Sequence, residues 1–209
     1  MSDTQIIDNI HTKEQFMEEL AKYGKVDTEI DLPQITNKET SEVTEQIWHQ
    51  DGLQIEKQPK WQALWCEYAD DNCPSTQYLS TRIPESVALK YIDYVEGYDF
   101  RNSIEEGSFF KFEKESHKRL YLKRTYKGKR KLILKDDIGY YTRWCPLSSA
   151  PEDEIKELKD AVFSNPVEEI EWKTGRMVMS NNLTCLHRRT PNKNVTGKRL
   201  LSRAYVHKL

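Results

Sequence analysis

The sequence predicts a mainly β protein with peripheral helices, built as a barrel or a two-sheet sandwich. Many short segments rich in branched and aromatic residues follow turn signals such as Thr174-Gly175. Few segments have helical spacing, and no linker is long enough to split the chain. We therefore expect residues 1–209 to form a single domain.

Three helices are predicted from their boundary signals. The first follows the capping-box spacing of Thr12 to Gln15, and its apolar stripe stops at Gly24. The second spans 84–95 and starts with a proline, which is favoured at the first helical position. The third spans 151–163, with Ser149 as its N-cap.

Strands are predicted where short apolar stretches follow turns: 27–32, 42–48, 63–68, 168–172, 176–180 and 199–206. Residues 118–135 alternate well enough to form a hairpin that turns at Lys127-Gly128. Eight Lys or Arg and no acidic residue lie among the fourteen residues 118–131. This basic hairpin is interpreted as a solvated surface, with attraction of an anionic substrate or of nucleic acid as alternatives.

Composition excludes several protein classes. The chain is 37% hydrophobic and 32% charged with only 8 Gly and 8 Pro, which excludes collagenous, low-complexity and largely disordered proteins. We expect no signal peptide, because the N-terminal residues lack a cationic start followed by an apolar run, and no window approaches the roughly 18 apolar residues of a membrane span. The four cysteines, Cys66, Cys73, Cys145 and Cys185, form no CxxC pair. We therefore expect a cytoplasmic protein with reduced thiols and no membrane partner.

Charge is distributed unevenly along the chain. Residues 173–209 carry nine Lys or Arg and no acidic residue, whereas residues 1–172 hold 23 basic and 34 acidic side chains, a net charge of −11. A cationic end on an acidic body favours an anion bound near the C-terminal arginines over a wholly basic nucleic-acid binder.

The most informative motif is Trp48-His49-Gln50-Asp51, at the end of an extended stretch. Because side chains alternate along a strand, His49 and Asp51 point to the same side and can bind one metal ion together. The motif alone also fits a surface histidine beside a turn aspartate. A third ligand is suggested by His187, which follows an apolar strand and precedes Arg188 and Arg189.

Four motifs in this order resemble the taurine dioxygenase type of iron(II)- and 2-oxoglutarate-dependent oxygenase: WHQD, Thr76 at 27 positions after His49, WKTGRMVMSNNLTCLHRRTP and RLLSR. The resemblance covers residues from about 10 to about 206. It implies a double-stranded β-helix core of the jelly-roll or cupin-like kind. It also implies Fe(II) as cofactor, with 2-oxoglutarate and O2 as cosubstrates.

The resemblance also implies residue roles. His49, Asp51 and His187 would be the metal ligands and the catalytic centre, a facial triad that leaves coordination positions open. Thr76 and Arg199 would bind the C1 end of 2-oxoglutarate. Arg203 would bind the far carboxylate, for which the bidentate fork of arginine is well suited.

The implied reaction is oxidative decarboxylation of 2-oxoglutarate to succinate and CO2, coupled to hydroxylation of an aliphatic carbon. Asp51 favours hydroxylation over halogenation, because related halogenases carry Gly or Ala in its place. We expect the primary substrate to be a small polar molecule, an amino acid or an organic acid. Arg189, Tyr140, Tyr141 and Trp144 are the candidate substrate residues. Arg189 is equally interpretable as a partner of Asp51.

Two other functions fit the sequence. One is a nucleic-acid-modifying 2-oxoglutarate oxygenase, favoured if the basic hairpin faces the iron. The other is a non-catalytic β-barrel that binds a metal and 2-oxoglutarate. The chain is shorter than typical members of the family, so we expect either an open pocket or a homo-oligomer in which a second copy completes it.

Overall fold

The structure is a computed structural model that describes residues 3–27, 35–36, 48–52, 57–99, 127–143, 153–190 and 197–207. These ranges contain fourteen strands and three helices. The chain divides into two compact units. The first comprises residues 1–50, 59–80 and 165–209, and the second comprises residues 51–58 and 81–164.

The elements in chain order are β1 (Thr4–Ile7), α1 (Lys13–Ala21), β2 (Lys25–Val26), β3 (Ile35–Thr36), β4 (Trp61–Ala69), β5 (Thr76–Ser80), β6 (Arg82–Ile83), α2 (Glu85–Ala88), β7 (Val95–Asp99), β8 (Lys127–Lys131), β9 (Ile133–Lys135), β10 (Tyr140–Thr142), α3 (Lys156–Phe163), β11 (Val167–Ile170), β12 (Met177–Asn181), β13 (Cys185–Arg189) and β14 (Arg199–His207).

Two antiparallel sheets build the first unit. One has the strand order β1-β12-β4-β14-β2, with β3 also paired to β14, and the other has the order β11-β5-β13. Their inward side chains share one apolar cluster: Leu64, Cys66, Tyr78, Ile170, Trp172, Val178, Cys185 and Leu201. The mainly β, two-sheet architecture predicted from the sequence is therefore confirmed.

Helix α1 covers the opposite face of the larger sheet. Its N-terminus has the predicted capping box, with Thr12 accepting a hydrogen bond from the Gln15 backbone. Phe16 and Leu20 pack against Trp65, and the rings of Phe16 and Trp65 are stacked with centroids 5.3 Å apart. Successive residues of β4 therefore enter two different cores, since Ala63 and Trp65 face the helix while Leu64 and Cys66 face the other sheet.

The second unit contains a sheet of order β6-β10-β9, the pair β7-β8 and the helices α2 and α3. A bidentate ion pair joins β6 to the turn after β9, with Arg82 donating to both Asp136 carboxylate oxygens at 3.0 and 2.9 Å. The hydrogen bonds from Arg82 lower the pKa of Asp136 to about 2.

Several boundaries differ from the sequence prediction. Helix α2 is a single turn at 85–88, and α3 begins at Lys156, while its predicted cap Ser149 lies outside the described residues. The hairpin turn predicted at Lys127-Gly128 is wrong, because both residues lie within β8 and pair with β7. Alternation predicts a strand but not its partner, so it could not show that this strand pairs with residues 95–99. Residues 118–126 of that hairpin, and the predicted strands at 28–32 and 42–47, lie outside the described residues.

Cys66, Cys73 and Cys185 are free thiols, and Cys145 lies outside the described residues. Among the described helices, none has the length and apolar character needed to cross a bilayer.

Helix α1 is expected to contribute strongly to stability through its buried face. Leu20 is fully buried in the cluster beneath the helix. Leu20→Ala should therefore lower the free energy of unfolding by about 2–5 kcal/mol, through lost burial and the cavity left behind. Urea denaturation of the variant and of the control Glu18→Ala, an exposed residue of the same helix, measures the effect. Equal midpoints for both variants would contradict this packing.

Candidate active site

A pair of backbone hydrogen bonds brings the two candidate histidines together. His49 N–H donates to the His187 carbonyl at 3.2 Å, and His187 N–H donates to the His49 carbonyl at 3.0 Å. This isolated antiparallel bridge attaches the WHQD segment to β13. The imidazole centroids of His49 and His187 are 4.3 Å apart as a result.

Asp51 completes a cluster of three metal-ligand side chains. One ligand atom from each of His49, Asp51 and His187 lies within 4.8 Å of the other two. The boundary between the two units falls inside the WHQD tetrapeptide, and chain connectivity over two residues keeps Asp51 beside His49. The segment is further held by buried Gln50, whose side-chain amide donates to the Leu183 carbonyl at 2.9 Å.

The donor set fits a first-row divalent metal. Asp51 and His187 are buried and His49 is half-buried, so the cluster is largely shielded from water. Two imidazoles and one carboxylate on one face are the ligand set typical of non-haem Fe(II) sites with open coordination positions. Three protein ligands leave room for further ligands around such an ion.

Gln62 also contacts this cluster, and the sequence analysis did not identify it. Its side chain is 1% exposed, and its amide nitrogen lies 3.1 Å from His187 Nε2. Ser180 Oγ donates to the Gln62 amide oxygen at 3.3 Å. The available signal was its alternation with Leu64 and Cys66, which places a polar side chain on an inward position of a buried strand. Gln62 therefore lies in direct contact with the ring of a candidate metal ligand.

Thr76, Trp172 and Arg199 form a second buried group in the first unit. The Trp172 indole N–H donates to Thr76 Oγ1 at 2.9 Å, and the Arg199 guanidinium lies 5.6 Å from the Trp172 ring centroid. Arg199 also donates to the Pro74 carbonyl, while its Nε has no hydrogen-bond partner among the described residues. Burial lowers the pKa of Arg199 to about 10, so it stays cationic at neutral pH.

Arg203 is on β14 of the larger sheet, and Arg189 is on β13 of the smaller sheet. Arg203 pairs in register with Leu64 on β4, and its guanidinium lies 5.5 Å from the Tyr205 ring centroid. On β13, Arg189 pairs in register with Thr76. Both arginines are half-buried. The structure therefore places every arginine predicted to bind cosubstrate or substrate in the same unit as the two histidines.

Arg188 is on the outer face of β13 and is engaged elsewhere. Its Nε donates to the Gln77 amide oxygen at 2.9 Å, and its guanidinium stacks 4.5 Å from the Trp48 ring centroid. It thereby packs beside the WHQD segment without sharing the face of His187.

The remaining candidate substrate residues belong to the second unit. Tyr140 is half-buried with the Lys135 ammonium 4.5 Å from its ring centroid, and Tyr141 is buried, which raises the pKa of its hydroxyl. Trp144 lies outside the described residues. A substrate-binding role for these three residues stays a prediction.

Sequence comparisons identify no relative, because no protein-family model and no curated protein matches the chain. Structural comparison does find similar proteins. The chain is similar to AAD-2 in complex with Mn(II) and N-oxalylglycine, with a TM-score of 0.69 and 15% identity over 99% of this chain and 83% of that chain. Two structures from Burkholderia xenovorans are also similar.

The first of these is described as an α-ketoglutarate-dependent 2,4-D dioxygenase, with a TM-score of 0.67 and 18% identity over 98% of this chain and 82% of that chain. The second is described as an α-ketoglutarate-dependent taurine dioxygenase, with a TM-score of 0.67 and 14% identity over 98% of this chain and 78% of that chain. At these identities the likeness establishes the fold. The chain has the jelly-roll fold of these dioxygenases, which confirms the fold expected from the sequence resemblance.

The geometry predicts that the three-residue cluster binds a divalent metal. Replacing His49, Asp51 or His187 singly with Ala should weaken Mn(II) binding by more than about 10-fold, because a three-ligand site becomes a two-ligand site. Calorimetric titration with Mn(II) measures this, with His11→Ala as a control at an exposed histidine. Unchanged binding in all three variants, with circular dichroism showing intact folds, would contradict a metal site here.

Proposed function

We propose that this chain is an Fe(II)- and 2-oxoglutarate-dependent dioxygenase that hydroxylates an aliphatic C–H bond of a small polar molecule, an amino acid or an organic acid. The observation that carries the proposal is the meeting of His49, Asp51 and His187 within a fold shared with solved α-ketoglutarate-dependent dioxygenases. A fold alone does not define an activity, but this donor set in this fold favours one chemistry.

His49, Asp51 and His187 would hold the iron. Bound there, the iron would supply the redox chemistry that couples oxidative decarboxylation of 2-oxoglutarate to oxidation of the substrate by O2. The backbone bridge between His49 and His187 fixes two of the ligands relative to each other. The chain thereby provides a preorganised set of ligands, which lowers the cost of assembling the site.

Thr76, Arg199 and Arg203 would bind the carboxylates of 2-oxoglutarate, with Thr76 and Arg199 acting together and Arg203 separately. The hydroxyl of Thr76 and the guanidinium of Arg199 both contact Trp172, which supports this pairing. Arg199 is buried and cationic with a donor Nε that has no partner among the described residues. A carboxylate would satisfy such a donor, whereas a buried guanidinium without one is costly.

A hydroxylation outcome is favoured by Asp51, because its carboxylate would occupy the coordination position that chloride needs in related halogenases. A small acidic substrate is favoured by the cationic C-terminal segment on an otherwise acidic chain. Two of the similar structures carry names that refer to taurine and to 2,4-D, and both compounds are small organic acids.

We also propose that residues 1–209 work as one catalytic domain in a reducing compartment, the cytoplasm. The similar structures align over 98–99% of this chain, which supports a single oxygenase domain. The free thiols of Cys66, Cys73 and Cys185 support the compartment.

Substrate-stimulated succinate formation tests the activity. Protein loaded with Fe(II) under air is incubated with 2-oxoglutarate and a panel of amino acids and small organic acids, and succinate and the hydroxylated product are measured together. We expect at least one compound to stimulate succinate release with a matching amount of product. The His187→Ala variant should show neither.

Other outcomes identify the competing functions. Metal and 2-oxoglutarate binding without succinate release, for any compound tested, would indicate a non-catalytic binding protein. Turnover of single-stranded DNA or RNA but of no small acid would indicate a nucleic-acid oxygenase, and its binding would then weaken steeply with added salt.

Arg203 should discriminate between cosubstrate and substrate binding. Arg203→Lys keeps the charge but loses the bidentate fork, so the affinity for 2-oxoglutarate should weaken by roughly 10-fold or more. Preference among primary substrates should stay the same. The measurement is the KM for 2-oxoglutarate and for the best substrate of the panel. Normal 2-oxoglutarate binding together with an altered substrate preference would contradict the role of Arg203.

A further inference from the structure

The residue before the candidate ligand His49 makes a second contact between the WHQD segment and β13. The backbone bridge between His49 and His187 is a single isolated pair, so among the described residues two hydrogen bonds form its whole ladder. In an antiparallel arrangement the next residues along each chain are also opposed, which places Trp48 opposite Arg188. The guanidinium carbon of Arg188 lies 4.5 Å from the centroid of the Trp48 ring. A cation–π contact thus adjoins the pair of histidines.

This contact lies on the opposite face of the strands from the metal-ligand cluster. Side chains alternate along a strand, so Trp48 and Arg188 point away from the side that carries the two histidines. Both side chains are half-buried. Arg188 therefore acts on the cluster through the strands that carry the ligands, and not as a ligand itself.

Arg188 also belongs to a row of side chains that crosses the smaller sheet. Arg188, Gln77 and Glu169 pair in register on β13, β5 and β11. The Nε atom of Arg188 donates to the Gln77 amide oxygen at 2.9 Å, and the Gln77 amide nitrogen donates to a Glu169 carboxylate oxygen at 3.1 Å. Because a guanidinium only donates and an ionised carboxylate only accepts, the Gln77 amide has one orientation in this row.

The charge of Glu169 maintains this orientation at neutral pH. Hydrogen bonds donated by Ser75 and by Gln77 hold the pKa of Glu169 below its usual value, so its carboxyl group is ionised. The row therefore ends on β11 in a charge-assisted hydrogen bond. Because Arg188 is bonded on this side, it has less conformational freedom left to lose when its guanidinium covers the Trp48 ring.

We propose that Arg188 is a positioning residue for the metal ligand His49. By stacking on Trp48, it fixes the register of the WHQD segment against β13 and so keeps the His49 imidazole within the cluster. This inference rests on the metal site of the proposed function. It assigns Arg188 to the assembly of that site, and neither to 2-oxoglutarate nor to the primary substrate.

Calorimetric titration of the metal-free protein with Mn(II) tests the assignment. Arg188→Ala should weaken Mn(II) binding by about 5-fold or more, because the His49 imidazole is then less well fixed. Trp48→Leu removes the same contact from the other side and should weaken Mn(II) binding by a similar factor. Arg188→Lys, which keeps a cation for the ring but loses the planar guanidinium, should weaken it less than Arg188→Ala.

A double-mutant cycle separates this role from a general loosening of the fold. If Arg188 and Trp48 act through their mutual contact, the variant that carries both Arg188→Ala and Trp48→Leu should bind Mn(II) within about twofold of the weaker single variant. Effects that multiply in the double variant would overturn the inference. Mn(II) affinity in Arg188→Ala within about twofold of the unchanged protein would also overturn it.

Lys60→Met is the matched control, because it removes another cation–π contact from the same unit. The Lys60 ammonium lies 5.1 Å from the centroid of the Trp61 ring, which packs against the cluster beneath α1. Mn(II) affinity should be unchanged in this variant. With Mn(II) bound, Arg188→Ala should also bind 2-oxoglutarate within about twofold of the unchanged protein. Weaker 2-oxoglutarate binding together with normal Mn(II) binding would contradict the assignment.

Failure of the inference and failure of the proposed function are distinguishable in this experiment. If the unchanged protein binds Mn(II) and His187→Ala loses that binding while Arg188→Ala and Trp48→Leu do not, the inference alone is wrong. If the unchanged protein binds no Mn(II), the proposed function is wrong, and the inference falls with it. If Arg188→Ala does not fold by circular dichroism, Arg188→Met carries the same comparison, since it keeps an unbranched apolar stem without the charge.

Discussion

The backbone bridge between His49 and His187 is the constraint on which the candidate site depends. Two residues far apart in the sequence are held by reciprocal hydrogen bonds of 3.2 and 3.0 Å, which fix their α-carbons as directly opposed strand partners. The side chains of opposed residues on one face necessarily lie close together. The closeness of the two histidines is thus a property of strand pairing, and Gln50 further holds the WHQD segment through its hydrogen bond to the Leu183 carbonyl.

Around this bridge, the interior of the sandwich changes from apolar to polar. Leu64, Cys66 and Leu201 fill the space between the sheets with hydrocarbon and sulfur. The same strands then carry Gln62 and Arg199 at inward positions, where an uncompensated polar group is costly. A ligand can offset that cost by restoring the lost interactions, and the buried cation of Arg199 is one reason for our proposal that it binds a carboxylate.

Local and periodic signals made most of the fold predictable. The capping box gave the start of α1, and alternation gave the central parts of β4, β12 and β14. The alternation of side chains along a strand also predicted that His49 and Asp51 lie on the same side, and the order of the motifs identified His187 as the third member of the cluster. These features can be predicted because they depend on residues close in sequence, or on motifs that occur in the same order as in the family that the chain resembles.

What could not be predicted depends on strand pairing. The partner of β8 is β7, and no local pattern distinguishes that pairing from a tight hairpin at Lys127-Gly128. Gln62 is an ordinary strand residue until β4 is placed beside β12 and opposite His187. The contact between Trp172 and Thr76 likewise needs the register of β11 against β5.

Within a few residues, strand β4 contacts both the histidine cluster and the apolar core beneath helix α1. Gln62 reaches the histidine cluster, while Ala63 and Trp65 pack under helix α1. A substitution in this strand is therefore expected to affect both the packing of the core and the candidate site, so few substitutions in it would be neutral. Solved structures that share only 14–18% identity with this chain nevertheless have its fold.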